Sequence, residues 1–223
     1  MSFGSLFLAL ALTGVSQGQN QAAPPVGFEA GAEFFGGPIT LLGYKPIQEE
    51  LKLTAEQKQQ LDGLRHMSRP DSIPGVKIRN LQGVQQSARN AVTRILNSKQ
   101  QKRLGEIILQ GLIQSGGLAA VIDDPGLDLA LEVTDAQKKR LRTIVEANRK
   151  PRAPGKTSST GDFKPTKVEE ERRKLADSRI NAILTETQKA KLSELQGESF
   201  KHFAAIQEEH QKRHRDGDES KKK

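Results

Sequence analysis

The chain has 223 residues and carries 35 Lys and Arg against 27 Asp and Glu, which gives a net charge of +8 at pH 7. It contains no cysteine, which excludes disulfides, thiolate zinc sites, haem attachment through cysteine and cysteine nucleophiles. Eight Phe, one Tyr and no Trp are too few for the stacked aromatic platforms that bind single-stranded nucleic acid. Because only 35% of the residues are hydrophobic, the composition argues against a thick globular core.

The N-terminus contains a short apolar run, residues 6–15 (LFLALALTGV), followed by the small and polar residues 16–18. This pattern is typical of a secretory signal peptide, with cleavage predicted after Gly18. The alternative is a buried N-terminal helix, because no Lys or Arg precedes the run. No segment has the roughly 20 apolar residues needed to span a bilayer. We therefore expect an exported protein, periplasmic or secreted, without a membrane span.

The chain contains an internal duplication. Residues 36–61 align without gaps to residues 116–141, with seven identical positions of 26. A second pair, 94–104 and 182–192, aligns at a spacing eight residues longer. The extra residues coincide with the Pro- and Gly-rich segment 150–165, where a longer loop costs little.

Four copies of one motif mark the duplication: an aliphatic residue, Thr or Asn, two residues, Gln, three residues and Leu. A Thr or Asn followed three positions later by Gln predicts a capping box, in which each residue bonds the backbone of the other at the first turn of a helix. Each cap contributes about 1 kcal/mol. A fifth box, Thr166 and Glu169, follows Pro165. The aliphatic, capping and glutamine residues of the four copies are Leu53, Thr54 and Gln57; Leu96, Asn97 and Gln100; Val133, Thr134 and Gln137; Leu184, Thr185 and Gln188.

Apolar residues recur with 3–4 spacing after these boxes, as in Leu104, Ile107, Ile108 and Leu112, which precede a predicted helix end at Gly116. No useful stretch alternates with period two. The sequence thus predicts an all-α protein of long amphipathic helices in two repeated α-hairpin-like halves. Narrow apolar stripes beside charged faces predict thin hairpins instead of a thick bundle.

The Leu-Thr-x-x-Gln motif, on exported basic helices without cysteine, resembles the Spy/CpxP family of periplasmic proteins. The segments 51–61 (LKLTAEQKQQL) and 183–192 (ILTETQKAKL) carry this resemblance, which spans roughly residues 49–206. It implies a bent α-helical hairpin, two of which usually pair into a cradle. It also implies an ATP-independent chaperone, an inhibitor of envelope-stress sensors or a zinc-binding stress protein. The chain departs from the family in having four motif copies where two are usual, and in having Asn97 and Val133 within them.

The four copies leave two oligomeric states open. The two halves pair with each other inside a monomer, which would mimic the family's dimer, or the chain forms a homodimer. A chaperone needs charge that speeds encounter with an unfolded protein and small apolar patches that hold it weakly. Basic stretches such as 138–142 and 172–174 are candidates. The alternative is that these charges only keep the helices soluble.

Histidine offers the one metal option. His210 and His214 are four residues apart on a predicted helix, close enough to share a zinc ion with Glu209 or another chain. Neighbouring basic residues oppose a cation, so a solvated helix end is the favoured interpretation. His66 is isolated and is interpreted as a surface residue.

Two further classes are disfavoured. Nucleic acid binding fits the positive charge, but the export signal and the lack of a recognition motif argue against it. An enzyme is disfavoured because the sequence has no P-loop, GxSxG or HExxH motif, and no cofactor is expected.

The sequence therefore predicts an exported ATP-independent chaperone or stress-binding protein that holds unfolded or partner proteins. Its alternative is a non-catalytic structural or regulatory protein of the envelope, and zinc-dependent stability would mark a metal-responsive form of either. The predicted organisation is a signal peptide (1–18), a flexible mature N-terminus (19–35), two helical repeats (36–115 and 116–215) and a disordered tail (216–223).

Overall fold

The computed structural model describes residues 37–67, 81–148 and 166–220, and in these ranges it contains helices and no strand. The predicted signal peptide, the segment 19–35 and the loop 150–165 lie outside the described residues. The all-α prediction is confirmed. The helices are α1 (Pro38–Leu41), α2 (Lys45–Glu50), α3 (Ala55–Met67), α4 (Leu81–Ile95), α5 (Ser98–Gly116), α6 (Pro125–Ala130), α7 (Asp135–Asn148), α8 (Lys167–Ile183), α9 (Glu186–Gln196) and α10 (Phe203–Ser220), with a 3₁₀ turn at Leu118–Ala120 between α5 and α6.

Two pairs of consecutive long helices pack against each other. Helix α3 packs against α4, and α7 packs against α8. The short elements cover them, since α1 packs on α3 and α4 while the 3₁₀ turn packs on α5, α7 and α8. Helix α5 also packs against α9, which places the end of the first motif-bearing segment beside the end of the second.

Helices α2 and α6 end in the same reversal. Lys52 and Glu132, the second residue after the end of each helix, have φ near +50°. The next residues, Leu53 and Val133, donate their N–H back to a carbonyl five positions earlier, as Leu53 does to Gln48 over 3.0 Å. This is the Schellman arrangement, which satisfies the last helical carbonyls and turns the chain sharply. It lets α3 and α7 begin within a few residues of the preceding helix.

The core differs from the thin layer that the composition predicts. The buried hydrophobic residues form a single cluster that includes side chains from both halves of the chain. Helix α5 shows why, because it is buried over a broad face that includes Leu104, Ile108, Leu109 and Leu112. The short helices and the 3₁₀ turn supply the second layer that isolated hairpins would lack.

The short elements and the extent of the last helix were not predicted from the sequence. Helix α5, with 19 residues, is followed by only a 3₁₀ turn and a six-residue helix. At the other end of the chain, α10 continues through Ser220, whereas the sequence predicts a disordered tail from residue 216. Once a helix is nucleated, each added residue gains a hydrogen bond, so even a polar sequence can extend it.

Candidate functional site

All four motif copies lie at helix starts and form capping boxes. In α5 the Asn97 side chain accepts from the Gln100 N–H and the Gln100 side chain accepts from the Asn97 N–H, each over 3.0 Å. Thr54 and Gln57 bond in the same way at 3.1 Å, before α3. Thr134 with Gln137 and Thr185 with Gln188 repeat the pattern at α7 and α9.

The four glutamines pair with one another, which the sequence did not predict. Gln57 Nε2 donates to Gln100 Oε1 over 2.9 Å, and Gln100 Nε2 donates to Gln57 Oε1 over 3.1 Å. Gln57 also donates to the Ile95 carbonyl at 2.8 Å, and Gln100 donates to the Leu51 carbonyl at 3.1 Å. We call this network the first glutamine joint. It ties the starts of α3 and α5 to each other, and each glutamine also bonds the segment that precedes the other helix.

A second glutamine joint has the same connections. Gln137 Nε2 donates to Gln188 Oε1 at 2.8 Å, and Gln188 Nε2 returns a bond to Gln137 Oε1 at 3.2 Å. Gln137 also donates to the Ile183 carbonyl at 3.0 Å, and Gln188 donates to the Leu131 carbonyl at 3.1 Å. The starts of α7 and α9 are therefore joined as those of α3 and α5 are.

Each joint explains why the motif uses glutamine. A glutamate completes a capping box equally well, as Glu169 does with Thr166 at α8. A carboxylate cannot donate, however, and each joint needs both amide N–H groups of each glutamine. All four hydrogen-bonding positions of each side-chain amide are occupied, so Gln100 and Gln188 can be buried without the penalty of an unsatisfied polar group. The use of Gln in all four copies, where Glu is also allowed, is the sequence signal for this pairing.

The aliphatic positions of the motif enclose the joints. The residues before the caps and the leucines that close the motif are all buried, at 7% exposure or less. They are Leu53, Leu96, Val133 and Leu184, and Leu61, Leu104, Leu141 and Leu192. The motif therefore specifies a helix start, a polar clamp and two apolar anchors, and its role in this structure is architectural.

A second polar cluster fixes the loop between α9 and α10. Arg103 donates to Glu50 at 2.6 Å, to Glu106 at 2.9 Å and to the Glu198 carbonyl at 2.6 Å. Although burial opposes its charge, the hydrogen bonds to both carboxylates raise the pKa of Arg103. The Gln110 side chain donates to the Glu198 carbonyl and accepts from the Phe200 N–H, each over 2.8 Å.

The loop held in this way forms one side of a groove of about 460 Å³. Its apolar lining includes Ile113 of α5 together with Phe200 and Phe203, whose rings meet edge to face at 4.9 Å. Its polar lining includes the exposed side chains of Gln114 and Lys201. Phe200 and Phe203 are largely buried, at 4% and 8% exposure, so the groove offers a small apolar surface beside the exposed Lys201.

The described histidines make different contacts. His210 lies 2.6 Å from the Tyr44 hydroxyl through Nδ1, and His202 packs edge to face on Phe200. The side chain of His214 is outside the described residues, so the predicted pair with His210 is untested. His66 is exposed, near the end of α3. In the described part of the chain, no three His, Asp or Glu side chains are grouped to hold a metal ion.

Several basic residues proposed as a binding face make contacts within the chain. Lys138 pairs with Asp128 at 3.5 Å, and Arg142 pairs with Asp123 at 3.6 Å. Arg173 donates to the carbonyl of Ser115 at 2.7 Å, which links α8 to the end of α5. These three cations are thus partly neutralised or used in packing. Lys139, Arg140 and Lys174 are exposed.

None of the described helices combines the length and the apolar character that crossing a membrane requires. Comparisons of the chain with models of protein families, with curated proteins and with solved structures found no match.

Proposed function

We propose that the protein is an exported ATP-independent chaperone or stress-binding protein of Spy/CpxP type. It would hold unfolded or partner proteins on its helical surface, without catalysis and without a required cofactor. The sequence motif and the N-terminal apolar run support the family and the export. The observation that carries the activity is the groove beside the α9–α10 loop, where apolar rings adjoin an exposed Lys201.

The groove suits weak and unspecific holding. Burying one apolar side chain contributes about 1.5–3 kcal/mol, which is too little for tight binding by a single contact. Exposed apolar residues elsewhere, such as Leu129 at 77% exposure, offer further contacts of the same size. A net charge of +8 speeds the encounter with acidic segments, and this attraction weakens with salt. Several weak contacts together allow capture and release without ATP.

Suppression of aggregation tests the proposal. A chemically denatured client protein is diluted into buffer with a several-fold molar excess of the purified protein, and light scattering is followed at low and at high salt. We expect clear suppression that decreases as salt rises. Absence of suppression at every ratio would reject the chaperone activity.

A matched pair of variants locates the activity. Ala204 lines the groove, whereas its neighbour Ala205 does not, and both are exposed on α10. Ala204→Glu places a charge in the groove and should remove at least about half of the suppression, since a bound apolar side chain would remove that charge from water. Ala205→Glu should retain it. Equal loss in both variants would exclude the groove as the binding site.

The alternative class predicts a different result. A structural or regulatory protein of the envelope would bind one partner with saturable stoichiometry and would show no client suppression. Running both assays with and without zinc distinguishes a metal-responsive form, whose thermal stability would rise with zinc.

A further inference from the structure

The outward face of α8 carries an unusual apolar stripe. Val168 is 73% exposed and Leu175 is 53% exposed, and Ala182 is exposed on the same face. The opposite side of the helix is already occupied, because Ala176 and Ile180 are buried where α8 packs on α7 and the 3₁₀ turn. The stripe is therefore additional to the face that holds α8 in the fold.

Charged residues complete the stripe. Glu171 and Arg179 are exposed and lie on either side of Leu175, four positions away in each direction. Within residues 37–67, 81–148 and 166–220, neither of them has an ion-pair partner. In packed helix pairs, charged residues beside the apolar contact usually face a charge of opposite sign on the partner helix.

The spacing of the stripe reads the same in both directions along the helix. From Val168 to Ala182 the steps are 3, 4, 4 and 3 residues, with Leu175 at the centre. These steps keep all five residues on one side of an α-helix. A second copy of α8 laid antiparallel places Leu175 against its own equivalent and Val168 against Ala182. It also places Glu171 against Arg179, twice, by symmetry.

We propose that α8 forms an isologous homodimer contact with a second copy of this chain through this stripe. The self-complementary order of apolar and charged residues is what a two-fold interface requires. The contact spans about 21 Å of helix, at 1.5 Å per residue. One helix pair of that length buries less than a standard stable interface, so the dimer is weak and depends on concentration. This inference does not rest on the proposed chaperone function.

Sedimentation equilibrium of the full chain from about 1 µM to 1 mM tests the contact, a range chosen for weak complexes. The average mass of the wild type should rise from that of a monomer towards that of a dimer. Leu175→Glu, which sets two carboxylates face to face, should raise the dissociation constant at least about tenfold. Leu129→Glu is the matched control, because Leu129 is the same residue type and is more exposed, at 77% against 53%, but lies on α6; it should leave self-association unchanged.

A charge exchange distinguishes this register from other contacts. Glu171→Arg alone sets two positive charges against each other across the contact and should weaken the dimer. Arg179→Glu alone sets two negative charges against each other and should do the same. The double variant restores opposite charges and should return the dissociation constant to within about threefold of the wild type. A wild type that stays monomeric at all concentrations overturns the proposal, as does a dimer that Leu175→Glu leaves intact. If the protein is monomeric and Leu175→Glu reduces client suppression, the stripe contacts clients instead.

Discussion

The two glutamine joints allow the two halves of the chain to be compared residue by residue. Gln57 pairs with Gln100 and Gln137 pairs with Gln188, and each glutamine bonds the equivalent carbonyl and the equivalent cap. Lys52 and Glu132, which precede the joints by the same number of residues, both have φ near +50°. Sequence identity between the aligned segments is low. The preserved features are those in which a backbone group or a buried amide needs a particular partner.

The halves differ where only one of them has a backbone donor that needs a partner. In the second half, the Leu118 N–H donates to the Asp177 carboxylate over 2.7 Å. The equivalent of Leu118 in the first half is Pro38, which has no N–H, and the equivalent of Asp177 is Arg89. The carboxylate is thus present only in the half whose backbone has a donor to satisfy. Gly117, with φ of +72°, brings the backbone close to that carboxylate, and a Cβ there would lie 2.6 Å from Asp177 Oδ1.

A second difference concerns the residue that precedes α2 and α6. Asp124 caps α6 by accepting from Gly126 and Leu127 at 2.9 and 3.0 Å. Its equivalent, Tyr44, makes no side-chain cap at α2 but is fully buried against α10. The first half therefore uses this position to hold the C-terminal helix, and the second half uses it to start a helix.

The largest expected effect comes from Gln100→Glu. The capping box survives, but the buried carboxylate cannot donate to Gln57 Oε1 or to the Leu51 carbonyl. We expect a loss of about 3 kcal/mol in the free energy of unfolding at pH 7, measured by urea denaturation. Gln188→Glu should cost the same within about 0.5 kcal/mol, since its joint has the same connections.

The pH dependence separates the joint from the cap. Burial disfavours the charged form of the carboxyl group that Gln100→Glu introduces, so its pKa in the folded state should exceed the unfolded value of about 4.3. The destabilisation should therefore be full at neutral pH and should shrink as the pH falls through the folded pKa. Gln60→Glu, on the exposed face of α3, should cost less than about 0.5 kcal/mol. An equally small cost for Gln100→Glu would mean that the joint adds nothing to the caps.

Asp177→Ala should produce the next largest effect. It leaves the Leu118 N–H without its charged acceptor and should cost about 1.5 kcal/mol in thermal or urea unfolding. Arg89→Ala, at the equivalent place in the first half, is the control and should change stability by less than about 0.5 kcal/mol. Equal costs would contradict the assignment of Asp177 as a partner required by the second half alone.

Tyr44→Phe should have a smaller effect, because it removes one hydrogen bond and keeps the ring. The Tyr44 hydroxyl bonds His210 at 2.6 Å, while Arg213 lies 4.6 Å from the ring centre and donates to the Gly43 carbonyl at 2.8 Å. We expect a loss of about 1 kcal/mol at pH 7, measured by urea unfolding.

Alkaline pH provides the check on that variant. Burial raises the pKa of Tyr44, although the nearby Arg213 acts in the opposite direction. A raised folded pKa gives stability that is complete below about pH 10 and is lost as the pH rises through the folded value. The variant lacks this loss, so the two stability curves should converge above about pH 10. Curves that stay parallel would show that the hydroxyl is not buried in solution.

The sequence was sufficient to predict the helix starts. Thr54, Asn97, Thr134 and Thr185 lie at their predicted positions because a capping box depends only on residues three apart. The all-α class followed from the 3–4 spacing of apolar residues for the same local reason.

The pairing of the glutamines could not be predicted in this way. Gln57 and Gln100 are 43 residues apart, and their contact depends on how two helix starts meet in space. The buried role of Tyr44 depends on His210, which is 166 residues away. The continuous core depends likewise on short helices whose packing leaves little periodic signal. Features set by local backbone needs were predictable, and features set by tertiary packing were not.

The smallest expected effect concerns the residue with positive φ in each half. A left-handed conformation costs a non-glycine residue about 1–2 kcal/mol, and glycine loses part of that gain through its greater freedom in the unfolded chain. Lys52→Gly and Glu132→Gly should each raise the free energy of unfolding by about 0.5 kcal/mol. Lys52→Ala removes the charge but keeps the Cβ, so it should leave stability unchanged. If Lys52→Ala raised the free energy of unfolding as much as Lys52→Gly, the effect would come from the charge of Lys52. Glu132→Gly should then show no matching gain.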